Sequence, residues 1–381
     1  VRICHVSPHL PPDQAANALL PAQLGSWTRA RGGDVTFVTQ PPAQGGQVPG
    51  ELAGPVHRVP GRSPSALARL TRLDSLSRAR AISRALDEAA HDADVLHLHS
   101  NGLIVEVAAE WARRRRRPFV LTLYGTEIWH YRQRWPLDPF TRAYRHAAAV
   151  TFYSEGLLAH ARKLGLARPH LHVVYPAVSD RFVRVDETTR ERYRAELGIR
   201  EPHLILNVKR LHELAGQRYL LDAFATITRA RADVRLVICG TGPLQADLES
   251  QARDAGIASR VTFAGLVPND RVARYAAAAD LFALPSLLEA LPTVAVEALA
   301  AGTPVVSADH PGGNELRGLF DDDVTIVPKE DAAALAGALA AWLAAPRRTH
   351  PATADLIAQR FSPEAVMNAY ERIYQQAMAT A

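Results

Sequence analysis

Short apolar runs alternate with stretches of helical periodicity along the whole chain, in two successive series. In the first, the runs fall at Arg2–Val6, Asp34–Thr39, Asp94–His99, Pro118–Leu123, Ala149–Tyr153 and Leu171–Tyr175, and helices are predicted at Leu19–Ala30, Leu76–Ala90 and Val105–Arg114. In the second, runs at His203–Val208, Val234–Cys239, Val261–Ala264, Leu281–Leu284, Pro304–Ser307 and Val324–Val327 enclose helices at Gln217–Arg229, Pro243–Ala255, Asn269–Ala277, Val294–Ala300 and Ala332–Ala344. Continuous apolar runs between turn residues read as strands buried on both faces, and strand–helix alternation calls for parallel sheets covered by helices. The expectation is an α/β protein of two Rossmann-like β/α/β domains facing a central cleft. Their boundary is expected between Ala177 and Arg200, where the charged stretch Arg181–Arg194 replaces strand-like apolarity. This sets the domains at 1–180 and 181–360, with an amphipathic last helix at Pro363–Met378.

Composition agrees with this outline and excludes some classes. With 381 residues, 48% of them hydrophobic, the chain has room for two cores. The opening Val1-Arg2-Ile3-Cys4-His5-Val6 reads as a strand with no apolar leader, so a cytoplasmic protein is expected. The most apolar region, Tyr275–Val306, is interrupted by Asp280, Pro285, Glu289, Pro292 and Glu297 and does not read as a membrane span. Cys4 and Cys239 sit in strand-like runs, as small core residues of a reducing compartment would. The abundance of Ala and Arg suggests a bacterial source rich in GC. The net charge of +5 includes one dense basic run, Arg113–Arg117. A solvated helix end is the first reading of that run, and attraction to the inner membrane face the second. Nucleic acid is disfavoured, because no aromatics are interleaved.

The most chemically informative segment is Pro285-Ser286-Leu287-Leu288-Glu289-Ala290-Leu291-Pro292-Thr293-Val294-Ala295-Val296-Glu297. A strand ends in a loop bearing one carboxylate, and a helix then opens near Pro292-Thr293 with a second carboxylate in its first turns. Unpaired amides and the dipole of a helix N-terminus attract anions. Two carboxylates beside such an anion site are costly unless they bind neutral hydroxyls. A sugar joined to a diphosphate meets both needs. In the other series Asp92-Ala93-Asp94 precedes its strand and reads as a turn, at the sheet end away from ligands.

With its continuation Ala301-Gly302-Thr303-Pro304-Val305-Val306, this segment resembles the E-x7-E signature of retaining GT-B glycosyltransferases of family 4. The resemblance covers nearly the whole chain. It implies a retaining, metal-independent transfer from a nucleotide-sugar donor held by the second domain to a small-molecule, glycan or lipid acceptor held by the first. It also implies that the C-terminal segment 361–381 packs back on the first domain, in a monomer or homodimer. Arg210, after the strand His203–Val208, matches the family's diphosphate arginine. The family lysine falls on Ala215, leaving Lys209 or Arg218 as the second cation. Glu289 matches the carboxylate for donor-sugar hydroxyls and Glu297 the one for the ribose; Leu291, Pro292, Thr293 and Val294 lie between them. Pro292 and Ala290 replace glycines, and Pro292 offers no amide hydrogen. Gly240 and Gly242 form a turn after a strand that suits a nucleotide, and Val267 falls where relatives contact the base. Gln245 stands where a dinucleotide fold wants its third glycine, so NAD or FAD is disfavoured.

In the first domain Leu121-Thr122-Leu123-Tyr124-Gly125-Thr126-Glu127 resembles the family's T-x-H-G-x-D/E run, with Tyr124 in the place of the sugar-contacting histidine and Glu127 set to orient the acceptor. Asp13, Gln14 and Asn17 take the place of a Gly-Gly loop and are candidates for reading a polar acceptor; Ala15 and Ala16 stand where the glycines would. His99 is the cleft candidate of Asp94-Val95-Leu96-His97-Leu98-His99. His97 and His99 share a strand face but have no third ligand nearby in the sequence, so no metal is expected there. Two other classes stay open: a nucleotide-sugar epimerase or phosphorylase of the same fold, and a non-catalytic carbohydrate- or nucleotide-binding relative.

Overall fold

The computed structural model describes residues 1–13, 16–42, 52–61, 73–129, 131–132, 138–168 and 170–380. It divides into two compact units, Val1–Tyr175 with Val366–Ala381, and Pro176–Ala365. The first unit is built on β1 (Arg2–Ser7), β2 (Asp34–Thr39), β3 (Val56–Arg58), β4 (Val95–His99), β5 (Phe119–Leu123), β6 (Ala149–Phe152) and β7 (Leu171–Val173). Its sheet order is β3-β2-β1-β4-β5-β6-β7. The second is built on β8 (His203–Val208), β9 (Val234–Cys239), β10 (Val261–Gly265), β11 (Leu281–Leu284), β12 (Val305–Ala308) and β13 (Val324–Val327), in the order β10-β9-β8-β11-β12-β13. All pairings are parallel. Strand order reverses between β1 and β4 and again between β8 and β11. Such reversals open a crevice at the carboxyl ends of the strands.

The apolar runs explain the sheets. Every residue of β4, β5, β6, β11 and β12 is buried, as strands covered on both faces require. In the second unit Ile205, Leu236, Leu281 and Val306 meet Leu220, Phe224 and Leu339 from the covering helices. The helices Pro139–His146, Glu155–Lys163, Glu187–Glu196, Pro311–Phe320 and Pro351–Arg360 were not marked by the sequence reading. Glu187–Glu196, read as a charged boundary, buries no residue. Asp186 caps it by accepting from the Thr189 amide (2.7 Å), and Arg190 and Arg194 both reach the buried Asp280 carboxylate. The Leu204 amide donates to the same carboxylate (2.7 Å), so charge fixes the helix beside β8 where apolar contact does not.

The last helix, Pro363–Ala379, buries Val366, Met367, Tyr370, Ile373 and Tyr374. It covers a stack of imidazoles in the first unit. His5 on β1 pairs in register with His97 on β4, and the His97 and His99 ring centroids are 4.0 Å apart. His97 Nδ1 meets the Tyr374 hydroxyl (2.7 Å) and its Nε2 the Thr122 hydroxyl (2.6 Å). Burial pushes the His5 pKa down to about 3 and those of His97 and His99 well below the usual imidazole range, so the stack is neutral. Replacing Tyr374 by Phe leaves His97 Nδ1 buried without its partner. Urea denaturation of Tyr374→Phe should show a loss of about 1–3 kcal/mol, the usual cost of orphaning a buried polar group; an unchanged midpoint would contradict this role.

Candidate functional site

In the second unit the crevice lies where β8 and β11 end side by side, and the loops there are held by backbone packing. Gly216 has φ 68°, and a Cβ on it would lie 2.1 Å from the Pro285 carbonyl oxygen. Only glycine permits both the conformation and the approach. The Leu287 amide donates to the Leu214 carbonyl (2.8 Å), tying the same loops again. On the other side a Cβ on Gly240 would lie 2.1 Å from the Lys209 carbonyl oxygen, while the Lys209 amide donates to Cys239 (2.9 Å). The segments after β8, β9 and β11 thus form one fixed rim.

Cations and carboxylates sit on this rim. Arg210 is exposed, and its guanidinium has no ion-pair partner among the described residues. Lys209 Nζ forms an ion pair with Glu289, both side chains being largely sequestered, at 20% and 16% exposure. Arg218 instead pairs with Glu213 (2.9 Å) and faces a groove with Asp222, Asp247 and Gln251. Of the two cations considered for the second charge, Lys209 is therefore the one beside Glu289. Ala215 is fully buried.

The helix Thr293–Ala300 begins at Pro292, with no side-chain cap. The amides of Thr293 and Val294, at its first two positions, have no intrahelical carbonyl to meet. Leu291 and Pro292 are buried beneath them. Glu297, one turn in, is half-buried and has no hydrogen-bonding partner among the described residues; burial pushes its pKa up to about 7. Gly242 continues the turn after Gly240, and Val267 is half-buried in the loop after β10.

The sequence reading missed a second helix start on this rim. After β12, His310 caps the helix Pro311–Phe320 by accepting from the Gly313 amide (2.9 Å), and the Gly312 amide donates to the Glu289 carbonyl (3.0 Å). Burial, then the charges of Lys329 and Lys209, bring the His310 pKa down to about 4. The available signal was a proline and two glycines directly after an apolar strand.

The first unit corrects several expectations. His99 was the cleft candidate; it is fully buried, with Nδ1 on the Tyr124 hydroxyl (2.7 Å) and Nε2 on His5 Nδ1 (3.0 Å). A parallel strand covered on both faces leaves it no opening. The third imidazole absent from the sequence reading is His5, and the ligating nitrogens of the three rings lie within 4.8 Å of one another. His97 and His99 use all their ring nitrogens in hydrogen bonds, so a cation there would have to displace them. Glu127 is also buried: it accepts from Ser100 Oγ and from the amides of Tyr124 (3.2 Å) and Gly125 (2.8 Å), which makes it the brace of the turn after β5. Tyr124 is half-buried, and burial raises its phenol pKa. Asp13 receives the His9 ring (2.8 Å), and the Asn17 side-chain oxygen is buried without a partner. Gln14 and Ala15 lie outside the described residues.

The basic run is a helix end held by its own ion pairs. Arg113 and Arg114 hold Glu110 (2.8 Å each), and Arg115 bonds Asp87 and lies over Trp111. Asp94 receives the Arg2 amide (2.8 Å) where β4 begins, far along the strand from the ligand end. No helix among the described residues is long and apolar enough to cross a membrane.

Comparison with known proteins gives the geometry a family context. The family model described as glycosyl transferases group 1 matches residues 189–357, and that of the glycosyl transferase 4-like domain matches residues 21–177. A 2-deoxystreptamine glucosyltransferase of Streptomyces kanamyceticus is 29% identical over 56% of this chain and 59% of its own length. A GDP-mannose-dependent alpha-(1-6)-phosphatidylinositol monomannoside mannosyltransferase of Mycolicibacterium smegmatis is 32% identical over 62% of this chain and 63% of its own length. In both, the match leaves more than a third of the relative uncovered. Anabaena HepE, solved in complex with UDP, shares the fold with a TM-score of 0.78 at 20% identity, covering 98% of this chain and 100% of that one.

Glu297 makes the site sensitive to pH. Its folded carboxyl holds a proton to about pH 7, against 4.5 for the ordinary group, so between these values the folded state binds more protons than the unfolded one. Stability should therefore fall as pH rises through that window, by about 3 kcal/mol, and stay level above it. Denaturation of Glu297→Gln from pH 4.5 to 8 should show this slope flattened; a slope equal to that of the wild type would refute the assignment.

Proposed function

Because the chain belongs to the group 1 glycosyl transferases, we propose that it transfers a sugar from a nucleoside-diphosphate donor to a hydroxyl of a small-molecule, glycan or lipid acceptor, with retention of anomeric configuration. The observation that carries this reading is that the segments following the adjoining strands β8 and β11 carry an unengaged guanidinium, Arg210, and an unpartnered, half-buried carboxylate, Glu297. The first suits a diphosphate and the second a neutral hydroxyl. Relatives add support: one is named for glucosyl transfer, another for GDP-mannose, and a structural neighbour was solved with UDP.

In this reading the donor diphosphate lies at Arg210 and the amides of Thr293 and Val294, near Gly240, Gly242 and Val267. Glu297 receives the ribose hydroxyls and Glu289 those of the transferred sugar. As the sugar–phosphate bond breaks, negative charge grows on the departing diphosphate. Fixed donors at that point stabilise the transition state more than the ground state. The acceptor hydroxyl attacks from the leaving-group side and passes its proton to the departing phosphate. No enzyme nucleophile is needed, and protein cations and amides supply the positive field without a metal. The first unit is assigned the acceptor, through Tyr124, Asp13 and Asn17, with Glu127 positioning Tyr124. Nucleotide sugars are cytoplasmic metabolites and the named relatives are bacterial, which supports a reaction in a bacterial cytoplasm.

Arg210→Ala and Glu297→Ala should each lower kcat/KM by about 10²–10³-fold while leaving thermal unfolding cooperative. Mass spectrometry of transfer from UDP, GDP, ADP and dTDP sugars measures the loss. Wild-type turnover in both variants would overturn the site.

A further inference from the structure

The ion pair between Lys209 and Glu289 joins two groups that the diphosphate site described above would use separately. Their backbones cannot drift apart. Lys209 is held through its amide to Cys239 (2.9 Å) and by the close approach of Gly240, and the Glu289 carbonyl is held by the Gly312 amide (3.0 Å). What can move is the lysine stem, a compact charge on a flexible chain. With both side chains largely sequestered, salt screens the pair less than it would a surface pair.

We propose that Lys209 is a shared cation for which Glu289 and the donor diphosphate compete, so that the pair selects intact donor over spent nucleoside diphosphate. The inference rests on the diphosphate site of the proposed function. A nucleoside diphosphate entering alone draws Lys209 away and strands the Glu289 carboxylate beside phosphate charge. An intact donor draws Lys209 in the same way, but its sugar hydroxyls bond Glu289 as the lysine leaves. Once the sugar has been transferred, Glu289 loses those hydroxyls and takes Lys209 back, which weakens the hold on the leaving nucleotide. The selectivity comes from a repulsion removed only by the right ligand.

The sign of one substitution separates this from a simple sugar contact. Calorimetry with UDP, GDP, ADP and dTDP, and with UDP-glucose and GDP-mannose, is run on the wild type, Glu289→Gln, Lys209→Met and the double variant. Glu289→Gln should bind the preferred nucleoside diphosphate about tenfold more tightly than the wild type, and Lys209→Met about tenfold more weakly. In the Lys209→Met background, Glu289→Gln should give no tightening, because the shared cation is gone. Unchanged or weaker nucleoside-diphosphate binding by Glu289→Gln overturns the inference and leaves the proposed function standing. A wild type that binds none of these ligands sinks both. Should Glu289→Gln not fold, the wild type alone decides: the sugar nucleotide must bind more tightly than its own diphosphate, and equal affinities overturn the proposal.

Discussion

The reversal of strand order between β8 and β11, with two glycines that permit close backbone approach, is the constraint on which the candidate site depends. Strand order alone brings two chain ends together. Gly216 against Pro285 and Gly240 against Lys209 turn that neighbourhood into a rim rigid enough to present charge. Side chains on such a rim are committed by their backbone. Lys209 and Glu289, 80 positions apart in the chain, meet because Lys209 directly follows β8 and Glu289 lies in the loop after the adjoining β11. Preorganisation of this kind lets a site stabilise developing charge without rearranging at the moment of reaction.

Buried polarity has a different meaning in the two units. In the first, hydrogen bonds link three imidazoles with tyrosine and threonine hydroxyls against the last helix, His5 Nε2 alone of their ring nitrogens being left without a partner, and burial keeps the imidazoles neutral. In the second, Glu297 is half-buried with no partner and its pKa is driven up to about 7. A completed network resists intrusion, while an incomplete one on a crevice gives a ligand something to complete. Asp280 belongs with the completed networks: Arg190, Arg194 and the Leu204 amide converge on it, away from the carboxyl ends of the strands. In the second unit an unpartnered carboxylate remains for a ligand to complete, whereas the histidine stack is closed off by burial.

The match of residues 189–357 to the group 1 glycosyl transferases and the parallel sheets are consistent with one another. One departure from the expected pattern concerns charge: Ala215 is buried where a lysine was expected, and Lys209 stands on the rim beside Glu289. This gives the chain a carboxylate–ammonium pair on the rim at the β8/β11 reversal.

The sheets were legible because a doubly covered strand is predominantly apolar, so His203–Val208, Val234–Cys239, Leu281–Leu284 and Val324–Val327 could be bounded from the sequence to the residue. The helix start after Pro292 was equally legible, since proline and the apolar run after it mark a local event. Glu187–Glu196 was not, because its stability comes from Asp280, almost a hundred positions away. His5 could not be joined to His97 and His99, and His99 could not be known to be closed off, before β1 was placed beside β4. Likewise the chain could nominate Lys209, Arg218 and Glu289 as charges near a ligand, but not their partners. Local periodicity and turn chemistry are written in neighbouring residues; pairing and burial depend on which distant segments share a strand edge, and only the folded sheet decides that.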